Sequence, residues 1–268
     1  MFSHDVITKI NFFAAGLLAL QGVILYIIML HKDQKVHHQA FMLFWAAANI
    51  VNFFDWLTTN LTARLPLWTD LTMDTIENFL FVFAAYCLFR REDFSWRETN
   101  LYIGYALLAG AVLLVIMLGV NISDESVFWK LFYVSPNMLM SAAAFLAIGI
   151  AFFLEPVTRE LRWPLLIIFC IYAVLQFPIY VRFATVGRFT VADLGAAAGP
   201  FTDAEVQTLR MFLAVGKIAL LVAFTAAALS FVGYKAAIVV KQMRLSTWIF
   251  SLGFSIFTML YRVFSALR

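Results

Sequence analysis

Lys217 carries the strongest chemical signal in the chain. It sits in the stretch FLAVGKIALLVAF, apolar on both sides. That places it about twelve residues, or roughly 18 Å, from the outer end of its helix at the α-helical rise. A lysine side chain does not snorkel that far with ease. An isolated ammonium at such depth loses its proton or recruits a carboxylate. Two chemistries fit. One is a structural ion pair, or a lysine facing a water-filled cavity. The other is a reactive amine that forms a Schiff base with an aldehyde cofactor, which burial and exclusion of water promote.

Three carboxylates lie inside apolar segments: Asp55, Asp74 and Glu77. Ionisable groups there are costly and mark functional sites by default. Glu77 is the natural partner of Lys217, because both enter the membrane from the same side to similar depth. Asp74 stands three residues earlier, one turn nearer the outside. Asp55 lies near the outer end of its helix beside Trp56, as an interfacial residue or as part of a polar path. Asn49, Asn52, Trp56 and Thr59 recur at helical spacing, and Asn78 follows Glu77. Asn49, Asn52, Asp55 and Asn78 are candidates for an ion pathway, and the stripe reads equally as hydrogen-bonding glue between helices.

Other chemistries find less support. The four histidines, His4, His31, His37 and His38, all fall outside the apolar spans. That argues against haem b, which needs axial ligands, and against a helix-borne zinc protease motif. An aspartic dyad would require two carboxylates sharing a site, and beyond the spacing of Asp74 and Glu77 nothing points to one. Neither an enzyme nor a metal site is expected.

Positioning a lysine at such depth takes a membrane-spanning scaffold, and the composition supplies one. Hydrophobic residues make up 63% of the 268 residues and charged residues 13%, against about 25% charged in soluble domains. The net charge of +3 is dispersed, and no basic patch interleaved with aromatics points to nucleic acid. Cys87 and Cys170 both lie in apolar segments and read as small core residues, with no disulfide framework. The first apolar run lacks a basic n-region and reads as a true span, not a cleaved leader.

Seven segments meet the length of about 20 mostly apolar residues: roughly 7–30, 39–59, 69–89, 100–120, 127–154, 163–185 and 205–235. The expected fold is all-α, a seven-transmembrane-helix bundle over residues 1–240. The tail, 241–268, contains a further apolar stretch from Thr247 interrupted by Arg262. It reads as an amphipathic helix on the inner leaflet or as an eighth span. Lys32, Lys35, Arg90, Arg91, Arg97, Arg159, Arg162, Lys235, Lys241 and Arg244 share one set of loops. The positive-inside rule puts that set in the cytoplasm and the N-terminus outside. The loop 187–200, rich in Gly and Ala, then caps the outer face, and Thr202 with Glu205 forms a capping box for the last helix.

With the lysine, the carboxylate and the seven spans placed, the layout resembles the microbial rhodopsins. Those are N-out, seven-helix retinal proteins with a Schiff-base lysine in the seventh helix and a carboxylate counterion on the third. Lys217 and Glu77 match these positions. Phe177 and Pro178, in AVLQFPIYVRF, match the aromatic–proline step of the family's retinal pocket. VFWKLFYVSPNMLM resembles the aromatic outer half of its fifth helix. The resemblance spans most of residues 7–235. It departs from the family where Asp74 replaces the arginine of the third-helix motif and Asn78 the tryptophan. Leu213 replaces the second carboxylate, Val174 and Val181 the pocket tryptophans, and Leu88 the internal proton donor.

The resemblance implies retinal as cofactor, linked to Lys217 and lined by Glu77, Asp74, Phe177 and Pro178. The missing donor argues against efficient outward proton pumping. The expected function is a photosensory or light-gated ion-conducting rhodopsin in the cell membrane. It would be multi-pass, surrounded by the lipid bilayer, with a cytoplasmic or membrane signalling partner or a second copy of itself as companions. The alternative is a seven-helix sensor or transporter without retinal, in which Lys217 and Glu77 form a structural ion pair.

Overall fold

Apolar stretches of more than 20 residues bounded by charge clusters satisfy every backbone group internally only as helices, and helices are what form. The computed structural model describes residues 4–32, 34–61, 67–119, 127–155, 161–186 and 203–231. They fold into seven α-helices: α1 (His4–His31), α2 (Val36–Leu61), α3 (Leu67–Arg90), α4 (Trp96–Gly119), α5 (Val127–Leu154), α6 (Arg162–Val186) and α7 (Asp203–Phe231). A 3₁₀ turn, Arg91–Asp93, links α3 to α4. No strand occurs among the described residues. Each helix overlaps one of the seven apolar segments expected from sequence. The loop 187–200, Thr202 of the capping box and the tail 241–268 lie outside the described residues.

Among the described residues, five helices are long and apolar enough to cross a membrane: the qualifying stretches lie in α1, α2, α3, α5 and α7, and α6 contributes a shorter one, Arg162–Gln176. The outward faces agree with that character. Leu107, Leu108 and Val174 are each more than 60% exposed. Apolar surface of that extent is stable against lipid and is a liability in water.

The helices close into a ring. α1 packs on α2, α2 on α3, α3 on α5, α5 on α6, α6 on α7, and α7 returns to α1, while α4 leans on the outside of α3. Small residues set the closest crossings. A Cβ at Gly22 would stand 2.8 Å from the Ala46 backbone, and one at Gly149 would stand 2.8 Å from Cβ of Phe169. Polar cross-links add to packing, as expected where lipid offers no competing hydrogen bonds. Gln21 of α1 donates to the Leu221 carbonyl of α7 at 2.6 Å and also meets the Thr225 hydroxyl. Asn78 of α3 donates to the carbonyl and the side-chain oxygen of Asn137, both at 3.3 Å. Asn137 follows Pro136, the proline inside α5.

The ring's interior is aromatic. Trp45 stacks on Phe224 with centroids 4.1 Å apart and planes within 8°. Phe41, Phe81, Phe145, Phe152 and Phe169 continue the cluster at centroid spacings of 4.8–6.4 Å. All seven are buried. At one end, α3 stops where Arg91 turns to a φ of 47°, a left-handed stop common at helix C-termini. The Arg91 guanidinium then donates to the Leu154 carbonyl at the end of α5, at 3.0 Å. Lys35 and Glu92 pair across the same end, and Arg90 pairs with Glu98.

Candidate functional site around Lys217

Lys217 stands midway along α7 and is 3% exposed. Its position follows from α7 packing between α1 and α6. Gly216 brings α7 close to α6: a Cβ there would stand 3.0 Å from the Tyr172 ring. The Lys217 side chain therefore points to α2. Its Nζ lies 3.3 Å from the Asn52 side-chain oxygen and 4.6 Å from the centroid of the Trp56 ring. A cation over an indole face is attracted by the ring quadrupole.

Asn52 uses its other end as well. Its Nδ2 donates to Oε2 of Glu77 at 2.8 Å. Asn52 thus stands between lysine and carboxylate: its oxygen accepts from the amine while its NH₂ donates to the acid. The anticipated pairing of Lys217 with Glu77 takes this relayed form, not that of a direct contact. The charges of Glu77, Asp55 and Asp74 all reach Lys217. Asp55 and Asp74 are both half-buried.

The asparagine stripe divides in two. Asn52 and Trp56, one turn apart on α2, face Lys217. Asn49 is buried, and its amide donates to the Trp45 carbonyl of its own helix at 2.8 Å. Asn78 belongs to the α3–α5 cross-link, not to the Lys217 cluster. The Trp45–Phe224 stack lies seven residues below Asn52 on α2 and seven below Lys217 on α7, two turns or about 10.5 Å away. The polar layer therefore rests on an aromatic floor. α6 runs through Phe177 and Pro178, whose side chains lie outside those described. Above the floor, Tyr172 packs on Phe145 at 4.5 Å, and Gln176, also buried, donates to the Tyr172 carbonyl at 3.4 Å.

An apolar cavity of about 250 Å³ opens elsewhere, between α3 and α4, lined by residues such as Phe44, Phe79, Phe83 and Leu107. It shares no lining residue with the Lys217 cluster.

Two features are not visible in the sequence. By spacing, Asn52 is one of several periodic asparagines, and only the bearing of α7 singles it out as a relay. Hydropathy places His37 and His38 in a loop outside the spans, yet α2 begins at Val36. Both histidines are buried in its first turn, where they meet Glu155.

No family model, curated protein or solved structure matches the chain.

Proposed function

We propose that the chain is a seven-span, retinal-binding photoreceptor of the cell membrane, with its N-terminus outside and retinal attached through the nitrogen of Lys217. The observation that supports this most is the buried Lys217 amine at the centre of α7, relayed to the Glu77 carboxylate by Asn52. Lys217 would hold the group through its nitrogen, by condensation with the aldehyde and release of its oxygen as water. Burial favours that bond by excluding the water that would reverse it. When bound, retinal supplies visible absorption and light-driven isomerisation.

The protein's own residues do the rest. Glu77 compensates the positive charge on the linkage nitrogen, since an unpaired buried charge is very costly. Asn52 holds that carboxylate in register, and Trp56 presents its ring face to the same nitrogen. Phe177 and Pro178 of α6 would line the polyene, as the resemblance implies. A photosensory or light-gated role fits better than efficient proton pumping, because by the resemblance Leu88 occupies the internal donor position.

Purified protein reconstituted with all-trans retinal should show a visible absorption band that is absent from Lys217→Ala. Borohydride reduction and peptide mapping should place the adduct on Lys217. Pigment formation by Lys217→Ala, or no band in the wild type, would reject the reading.

The relay also favours a second reading. Asn52 already provides hydrogen-bond partners for both Lys217 and Glu77, so the three residues can form a structural cross-link of α2, α3 and α7 in a sensor or transporter without retinal. That reading predicts no retinal adduct and a loss of fold on breaking the relay.

A further inference from the structure

Four turns below Asn52 on α2, at the Lys35 end of the ring, a second polar layer sits beneath the aromatic floor. His37 and His38 open α2, and Glu155 closes α5. Their exposures are 4%, 3% and 8%, and one ligand atom from each lies within 4.8 Å of the others. Neighbouring residues on a helix do not normally face each other, yet the two imidazole rings meet with centroids 4.1 Å apart. Nε2 of His38 lies 3.9 Å from the Glu155 carboxylate, too long for a hydrogen bond. Three buried donors thus converge on one point.

We propose that His37, His38 and Glu155 bind a divalent first-row transition ion, with zinc the best fit. Two imidazole nitrogens and one carboxylate oxygen form a donor set that zinc takes readily, leaving a fourth position for water. Ligand bonds of about 2.0–2.2 Å in a tetrahedral arrangement place donor atoms about 3.3 Å apart. From the observed 4.8 Å, the side chains need to close by about 1.5 Å at most to reach that spacing, within the reach of small χ rotations. The charge balance agrees: the carboxylate and two neutral imidazoles leave one positive charge on the centre.

The nearby cations Lys35 and Arg91 oppose positive charge at the histidines, and each is engaged by another group. Lys35 directs its ammonium to Glu92, and Arg91 directs its guanidinium to the Leu154 carbonyl. The C-terminal end of α5 contributes negative dipole potential beside Glu155, opposing the positive end of α2 beneath the histidines.

The ion would fasten two helices that flank α3 on either side in the ring. α2 and α5 meet through Phe41 and Phe152, with centroids 5.5 Å apart. Phe41 lies one turn above His37, and Phe152 one turn above Glu155. Metal at this layer would lock the floor from below and set the axial position of α2, which carries Asn52 and Trp56.

The test uses the full-length, detergent-solubilised protein with any polyhistidine tag removed. After exposure to zinc and dialysis, elemental analysis should find one zinc per chain. Zinc affinity should fall by more than about 100-fold in His38→Ala and in Glu155→Gln, exceeding the cost of altering residues that only support a ligand. Zinc should also raise the melting temperature of the wild type, a readout that needs no variant to fold. Cobalt substitution should give visible d–d bands of a four-coordinate site in retinal-free protein. Absence of stoichiometric zinc from the wild type, or retention of zinc by both variants, would overturn the proposal.

Discussion

Asn52 faces Lys217 with its oxygen and Glu77 with its amide nitrogen, at 3.3 and 2.8 Å. One neutral side chain thereby satisfies two ionisable groups from two other helices. Truncating it removes both bonds and leaves the buried Lys217 and the half-buried Glu77 without them. Asn52→Ala should destabilise the protein by about 1–3 kcal/mol, the cost of stranding buried polar groups. Asn49→Ala removes only a bond to its own helix, and should cost less, about 1 kcal/mol. Thermal unfolding of both variants in one detergent checks the order. A larger loss for Asn49→Ala would place the structural weight of α2 elsewhere.

The close crossings yield a packing prediction with an internal control. Gly22→Ala drives a methyl into the Ala46 backbone, and Gly149→Ala drives one into Phe169. Each should cost about 1–3 kcal/mol, the usual penalty for overpacking. At Gly104 and Gly110 an added Cβ would meet nothing within 4 Å. Their substitution by alanine should be neutral or stabilise by up to about 1 kcal/mol through helix propensity. Melting curves of the four single variants distinguish the two classes.

Much of this architecture is legible in the sequence, and for clear reasons. A run of some 20 apolar residues has one low-energy form in lipid, so the seven helices follow from hydropathy alone. Lys217 and Glu77 stand out because charge is rare in such runs. What the sequence does not convey is rotation about each helix axis. Asn49 and Asn52 share a stripe by spacing, yet one bonds its own backbone and the other bridges three helices. That difference depends on where α7 places Lys217 relative to α2. The histidines mislead for another reason. Hydropathy windows dilute two polar residues at a helix start, so α2 reads as beginning near residue 39 when it begins at Val36.

The Lys35–Glu92 pair gives a pH prediction whose sign can be worked out. The hydrogen bond to Glu92 holds the Lys35 ammonium above its ordinary value of 10.5, and the charge of Glu92 adds to the effect. A lysine raised on folding contributes stability fully below its unfolded value and loses it as pH rises through the folded one. The pair should therefore act constantly across neutral pH and, on the alkaline side, fade above about pH 10.5. Both groups are exposed, so salt should weaken the pair. The gap in melting temperature between the wild type and Lys35→Met, compared at about pH 7, 9 and 11, should be the same at the first two and begin to narrow at the third. Convergence already at neutral pH would contradict the assignment.

The last prediction concerns which carboxylate balances the linkage nitrogen. The charges of Glu77, Asp55 and Asp74 all reach Lys217. Asn52 ties Glu77 to the lysine through a hydrogen bond at each end. In the pigment, Glu77→Gln keeps the shape of the side chain and its bond partner while removing the charge. Two spectral outcomes follow from that removal. Either the linkage nitrogen gives up its proton and the band moves to the near ultraviolet, or it keeps the proton and the band moves to the red. Asp74→Asn and Asp55→Asn should shift the band far less, because Glu77 is the carboxylate that Asn52 joins to Lys217. The three carboxylates form one interacting set, so an apparent pKa measured by titrating colour belongs to the cluster as a whole. Comparison of the three variants in one detergent at one pH is the check. A large shift in Asp74→Asn with none in Glu77→Gln would move the counterion one turn along α3, and a large shift confined to Asp55→Asn would move it to α2.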